Sequence, residues 1–287
     1  MSLYLVRSHP TFAVIGDSAA YGTGDEIAPG QFRGWAGFLS DNFRDGCDYF
    51  NFSRPGAKST EVATIQLDKV LKQQPDICAV IVGGNDILRN DFDPILLHKN
   101  LQYICRSLLE IGSEIVMVEL HDPLQLLRLP KLIARVLNKR VNAVNAVYRK
   151  IALEFDVVSI KTRKIPTVHQ KSNWHIDRMH PGPAGHFILA RFIAEKLKQR
   201  GWAINLPAVL NIRQTSKKEK ILWLLRNGTP WFLKRSLDLL PAAIFLMVVE
   251  ALKIAKEFVL PSKENKELDF LYQIESDPAV IQQLLAS

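Results

Sequence analysis

The chain of 287 residues, with 47% hydrophobic and 23% charged residues, has the composition of a globular protein and the length for one large domain plus an appendage. Its formal charge of +8 is scattered apart from short clusters such as Lys217, Lys218 and Lys220, which reads as a solvated basic surface and argues against a nucleic-acid partner. Cys47, Cys78 and Cys105 lie far apart without a CxxC pair, so neither a disulfide framework nor a thiolate metal site is indicated and a reducing compartment is expected.

Arg7 is not followed by an apolar segment separate from the first strand, so no secretory signal is read and a cytoplasmic protein is expected. From there to about residue 200, short apolar runs alternate with segments of helical period, the pattern of an α/β domain with a mostly parallel sheet. Strands are predicted at Phe12–Ile15, Tyr49–Phe52, Ile77–Val82, Ile115–Leu120 and Val157–Ile160. Helices are predicted between them at Trp35–Phe43, Val62–Leu71, Ile95–Ile111 and Leu132–Phe155. A last helix runs from Ala184 to Arg200, and Pro181, Gly182 and Pro183 before it supply turn chemistry and a proline suited to the first helical turn.

After Gly201 the alternation stops, and Trp202 to Lys220 reads as a linker. The domain is drawn over residues 1–204, with residues 205–287 as linker and helical C-terminal extension. In the extension, Ile221, Leu222, Leu224 and Leu225 form one apolar stripe and Trp231 to Val259 continues it, with Pro241 as a kink or boundary. The apolar run from Ala242 to Val249 falls short of the roughly 18 residues a spanning helix needs. With Arg226, Lys234 and Arg235 interleaved, this tail has two readings: an arm packed on the domain or on a second subunit, or a peripheral contact with a lipid interface. The second is also the non-enzymatic reading, a membrane-surface or partner-binding module.

The chemistry-bearing residues stand at the ends of predicted strands. The first strand runs into Gly16, Asp17 and Ser18, the carboxyl end of a strand being where open α/β sheets bind ligands. On its own a serine here is a helix cap or turn former. A serine nucleophile needs a base, and the base needs a carboxylate to hold its tautomer. Asp177 and His180 offer both, three residues apart before Pro181, which biases His180 away from helix so that a local turn can join the pair. His9, His98, His121, His169, His175 and His186 compete. His175 lacks the Asp-first spacing, and His186 sits inside the last helix, which would point it along that helix. Donors for a developing oxyanion stand at two further strand ends: the backbone N–H of Gly56, five residues after Asn51, and the side-chain amide of Asn85 after Gly83 and Gly84.

These four blocks, Gly16-Asp17-Ser18, Asn51 to Gly56, Gly83-Gly84-Asn85-Asp86 and Asp177 to His180, resemble in order and spacing those of the SGNH (GDSL-type) hydrolases over about residues 10 to 200. The resemblance implies a flavodoxin-like three-layer α/β/α sandwich with a five-stranded parallel sheet. It implies that Ser18, Asp177 and His180 are a catalytic triad and that Ser18, Gly56 and Asn85 form the oxyanion hole. Asp17 and Asp86 would be structural members of their turns, and no metal or organic cofactor is implied. Ala19 stands where the family's familiar name has leucine. The implied reaction is hydrolysis of an acyl ester of a small molecule, lipid or carbohydrate through an acyl-serine. The alternative is transfer of the same acyl group to an alcohol acceptor.

Two other readings fail on spacing. A phosphoryl-accepting Asp17 would want a second aspartate where Ala19 stands, and Gly22-x-Gly24 lacks the third glycine of a dinucleotide loop, position 27 being isoleucine.

Overall fold

Runs rich in Val, Ile, Phe and Ala, apolar on both sides of the chain, fit a sheet covered by helices on both faces. The structure, a computed structural model, describes residues 9–89 and 91–208 together with the single positions Val248 and Leu252. Apart from those two positions, the helical extension and its lipid-interface reading lie outside the described residues.

In chain order, β1 (Thr11–Gly16) leads through a single-turn helix α1 (Ser18–Tyr21) to a hairpin, β2 (Glu26–Ala28) and β3 (Gln31–Phe32), and then to α2 (Gly34–Ser40). β4 (Asp48–Asn51) is followed by α3 (Ser59–Glu61), a π-helical turn (Val62–Gln66) and α4 (Leu67–Leu71). β5 (Ile77–Ile81), α5 (Pro94–Glu110), β6 (Glu114–Val118), α6 (Lys131–Glu154), β7 (Val158–Ile160) and α7 (Pro183–Gln199) follow. All five strands and five helices read from hydrophobic period are present, with ends moved by a few residues.

The main sheet has the order β4-β1-β5-β6-β7, and every pairing in it is parallel. This is the flavodoxin-like order, in which the chain passes from β1 out to one edge and returns past β1 to begin β5. Crossovers leave β1 and β5 in opposite directions, so a crevice opens at their carboxyl ends. Because side chains alternate along a strand, Phe12 and Val14 face the layer of α2 and α7. Ala13 and Ile15 face the layer of α4, α5 and α6. Cys78 and Cys105 belong to that second core as small apolar side chains.

Two features differ from the sequence reading. The β2–β3 hairpin closes on Pro29 and Gly30, the latter at φ 74, a Pro-Gly turn signal in a segment to which the sequence reading assigns no element. The linker does not begin at Trp202: Trp202 and Ile204 are buried, Ile204 bridges Phe43, and the Asn205 N–H donates to the Asn42 carbonyl. Large apolar side chains at both positions bind this stretch to the end of α2.

Candidate active site

The turn after β1 depends on contact between two strand ends. The Asp17 N–H donates to the carbonyl of Ile81, the last residue of β5, at 3.0 Å. Gly16 has φ 144, and a Cβ there would stand 1.9 Å from that carbonyl oxygen, so only glycine allows the approach. Asp17 then caps α1 by accepting the Ala19 N–H at 3.0 Å, which leaves Ser18 as the first helical residue and not the cap. Burial pushes the Asp17 carboxyl up to about 6, against hydrogen bonds from the Ala19 and Gly84 amides.

The second part of the site is a loop closed by an antiparallel bridge between Trp174 and Pro181 and by the His175 N–H donating to the His180 carbonyl at 2.9 Å. At its tip Arg178 takes φ 58, a left-handed conformation that reverses the chain. Asp177 Oδ1 accepts the backbone N–H groups of Met179 and His180, and Oδ2 lies 2.9 Å from His180 Nδ1. His180 Nε2 lies 2.8 Å from Ser18 Oγ. With Nδ1–H held by the carboxylate, Nε2 is left as the acceptor for the serine proton. Burial works to raise the Asp177 carboxyl, but hydrogen bonds from His175 and His180 outweigh it and hold the group well below the usual carboxylate range.

The rival histidines have distinct positions. His175 Nδ1 lies 3.1 Å from the same Oδ2 of Asp177, so the reversed turn brings the residues two before and three after the aspartate onto one carboxylate. His186 does not point along its helix. Fully buried, it accepts the Trp35 N–H on Nδ1 and contacts the Thr23 carbonyl through Nε2, tying α7 to α2 and to the loop after α1. Burial pushes it down to about 4.

Asn85 follows β5, and its side-chain amide donates to the Ala57 carbonyl at 3.2 Å, joining it to the loop that carries Gly56. Pro55 and Asn85 line the cavity beside Ser18; Gly56, at φ 87, lines the adjoining groove with Arg54 and Lys58. Asp86 accepts the Ser59 hydroxyl and N–H and so fixes one turn to the other.

Three buried polar side chains that the sequence reading passed over hold the strand exits. Gln66, within the π-helical turn, accepts the Gly16 N–H at 2.7 Å and donates to the Gly16 carbonyl at 3.0 Å. The Tyr148 hydroxyl does the same for Val82, and the Asn145 amide for Leu120. Each satisfies both backbone groups of one residue where the sheet ladder ends, a requirement buried backbone imposes. A polar residue amid the apolar period of a helix was their only trace in the sequence.

A cavity of about 500 Å³ opens beside Ser18, Asn85 and His180. Much of its wall comes from the β6–α6 crossover and the start of α6, including Leu127, Leu129, Ile133 and Val136. In the sequence the only signal of this wall is that Leu124, Leu126, Leu127 and Leu129 are unusually apolar for a loop.

A model of the GDSL-like lipase/acylhydrolase family matches residues 14–188. The chain belongs to that family. Ester hydrolysis is therefore the reaction class its membership supports. The GDSL-like domain is also similar in fold to solved structures. One is the lipase Lip_vut3 from a goat rumen metagenome, at 17% identity and TM-score 0.54, covering 68% of this chain and 98% of that one. TesA gives 20% identity and TM-score 0.52, covering 66% and 98%. The acetylxylan esterase Axe2 from Geobacillus stearothermophilus gives 19% and 0.52, covering 67% and 95%. No curated protein matches the chain.

Proposed function

We propose that this GDSL-like family member hydrolyses carboxylic esters through an acyl-Ser18 intermediate. The observation that carries the reading is the continuous contact from Ser18 Oγ to His180 Nε2 at 2.8 Å and from His180 Nδ1 to Asp177 Oδ2 at 2.9 Å. Ser18 Oγ bonds to the acyl carbon while its proton passes to His180 Nε2. The carbonyl electrons collect on oxygen, which the Ser18 and Gly56 N–H groups and the Asn85 amide stabilise. When the intermediate collapses, the alkoxy C–O bond breaks and the leaving oxygen takes the proton from His180. Water repeats the sequence on the acyl-enzyme, releasing the acid and restoring Ser18. Asp177 keeps its charge throughout and holds the imidazole in the required tautomer, a role supported by its depressed protonation range.

Ser18→Ala should abolish turnover of p-nitrophenyl acyl esters in a protein that still unfolds cooperatively. A fluorophosphonate probe should phosphonylate Ser18 with loss of fluoride, adding the probe's mass less HF to the peptide carrying Ser18 in the wild type, and leave Ser18→Ala unlabelled. Undiminished turnover by Ser18→Ala would reject the assignment.

A further inference from the structure

The cavity beside Ser18 lies within the ~300–1,000 Å³ of sites that enclose small organic ligands, at about 500 Å³. It is lined by Ile81 at the end of β5, Val118 at the end of β6 and Ile165 after β7. It therefore extends from the β1/β5 crevice across the exits of β6 and β7. Beyond the reacting groups most of its wall is hydrocarbon, including Leu127, Ile133 and Val136 from the crossover and α6, Val168 and Trp174 from the loop before the aspartate, and Leu189 from α7. Ile133 and Val136 remain partly exposed, apolar surface that a ligand in the cavity would cover.

The polar groups on this wall are few beside its hydrocarbon and are held by burial or by bonds to the protein. Burial pushes His121 down to about 3, and its ring packs against Trp174 at 3.9 Å, so it is a neutral imidazole at neutral pH. Burial likewise raises Glu119. The Arg140 guanidinium is engaged by the carbonyls of Ile87 and Arg89. A sugar ring placed here could meet Glu119 and His121, whose Oε1 and Nε2 have no partner among the described residues, but would leave most of its hydroxyls against carbon, each at a cost in unmade hydrogen bonds.

We infer that this cavity is an acyl-chain site and that the substrates are esters of medium- to long-chain fatty acids, not acetate esters. The inference rests on the hydrolase reading above. It concerns the acyl side because the leaving alcohol must depart and water must enter at His180 while the acyl group stays bound to Ser18. A recessed apolar space suits the group that is retained.

The test uses the full-length chain with p-nitrophenyl esters from acetyl to dodecanoyl, below their aggregation concentrations, and an arm of acetate esters of alcohols of increasing length. A buried methylene is worth up to about fourfold in binding, so kcat/KM should rise at least about tenfold from butyryl to octanoyl. The alcohol arm should show no comparable gradient. Val136→Trp, which fills the cavity from a partly exposed helix position, should lower the dodecanoyl-to-butyryl ratio of kcat/KM by about tenfold or more. As a readout independent of turnover, dodecanoate should bind the Ser18→Ala protein in calorimetry where acetate gives no signal.

Turnover that needs Ser18 but is best with acetyl or butyryl esters overturns the acyl-chain site and leaves the hydrolase reading standing. So does a length gradient in the alcohol arm alone, or a ratio unmoved by Val136→Trp. Turnover of every ester that survives Ser18→Ala removes the hydrolase reading, and this inference with it.

Discussion

Gln66 offers a direct test of whether the nucleophile turn is held from outside its own segment. Its amide is buried and makes two bonds to Gly16, 2.7 Å from the N–H and 3.0 Å to the carbonyl. Gln66→Met keeps the length and flexibility of the side chain while removing both polar atoms. The Gly16 N–H then loses this partner in a dry site, at roughly 1 to 3 kcal/mol. The carbonyl suffers less because it also accepts the Arg54 N–H at 3.1 Å. Partial compensation by burying the thioether leaves an expected loss of about 2 kcal/mol in urea unfolding. Gly16 also positions Asp17 and Ser18, so kcat on a p-nitrophenyl ester should fall while KM changes little, the signature of misplaced reacting groups. A variant within about 0.5 kcal/mol of wild type with full kcat would refute the reasoning, since that is the scatter of a surface substitution.

Two further outcomes are expected. Asp177→Asn keeps the shape of the loop but can present an amide N–H to His180 Nδ1, favouring the wrong tautomer, so kcat should fall by about 10⁴; a loss under tenfold would remove Asp177 from the relay. His186 should make the fold acid-sensitive. Its folded-state value is depressed from 6.5 to about 4, so the unfolded chain takes the proton first, and its contribution is present above 6.5 and lost as pH falls toward 4. His186→Gln should remove that part of the acid slope in urea unfolding between pH 7 and pH 4.5. An unchanged slope would contradict it.

Much of the architecture was legible because its signals are local. Strands such as Phe12–Ile15 and Ile77–Val82 are continuous apolar runs, the pattern of strands buried on both faces. The pairing of Asp177 with His180 was legible too, since Pro181 and a three-residue spacing favour a turn over a helix. The sequence sets His175 aside for want of the Asp-first spacing, but spacing says nothing of a left-handed residue: Arg178 at φ 58 folds both histidines toward one carboxylate. His186 was sent along its helix because the period gives a face, whereas the acceptor on Nδ1 is chosen by the Trp35 N–H, which lies 151 residues away in the chain. Gln66, Asn145 and Tyr148 were passed over for the same reason. Their partners are backbone groups on other elements, and no local pattern announces them.

The residues of the candidate site fall into two sets with different structural origins. Ser18, Gly16 and Asn85 occupy the β1/β5 crevice, where strand ends meet so closely that a Cβ on Gly16 would overlap the Ile81 carbonyl. Changes there disturb backbone contacts across the sheet, and few side chains can be accommodated. Much of the apolar wall comes instead from the β6–α6 crossover and the start of α6, and Leu127 and Leu129 stand on a connection, the kind of segment that tolerates change in length and composition. On the proposed hydrolase reading, bond-breaking geometry is tied to the fold's topology while a large part of the ligand wall stands on a connection. Substitutions at Val136 should therefore redirect chain-length preference, whereas substitutions at Gly16 or Gln66 should lower turnover of every ester alike. A variant at Val136 that depressed short- and long-chain esters by the same factor would leave the chain-length ratio unmoved and so overturn the acyl-chain site.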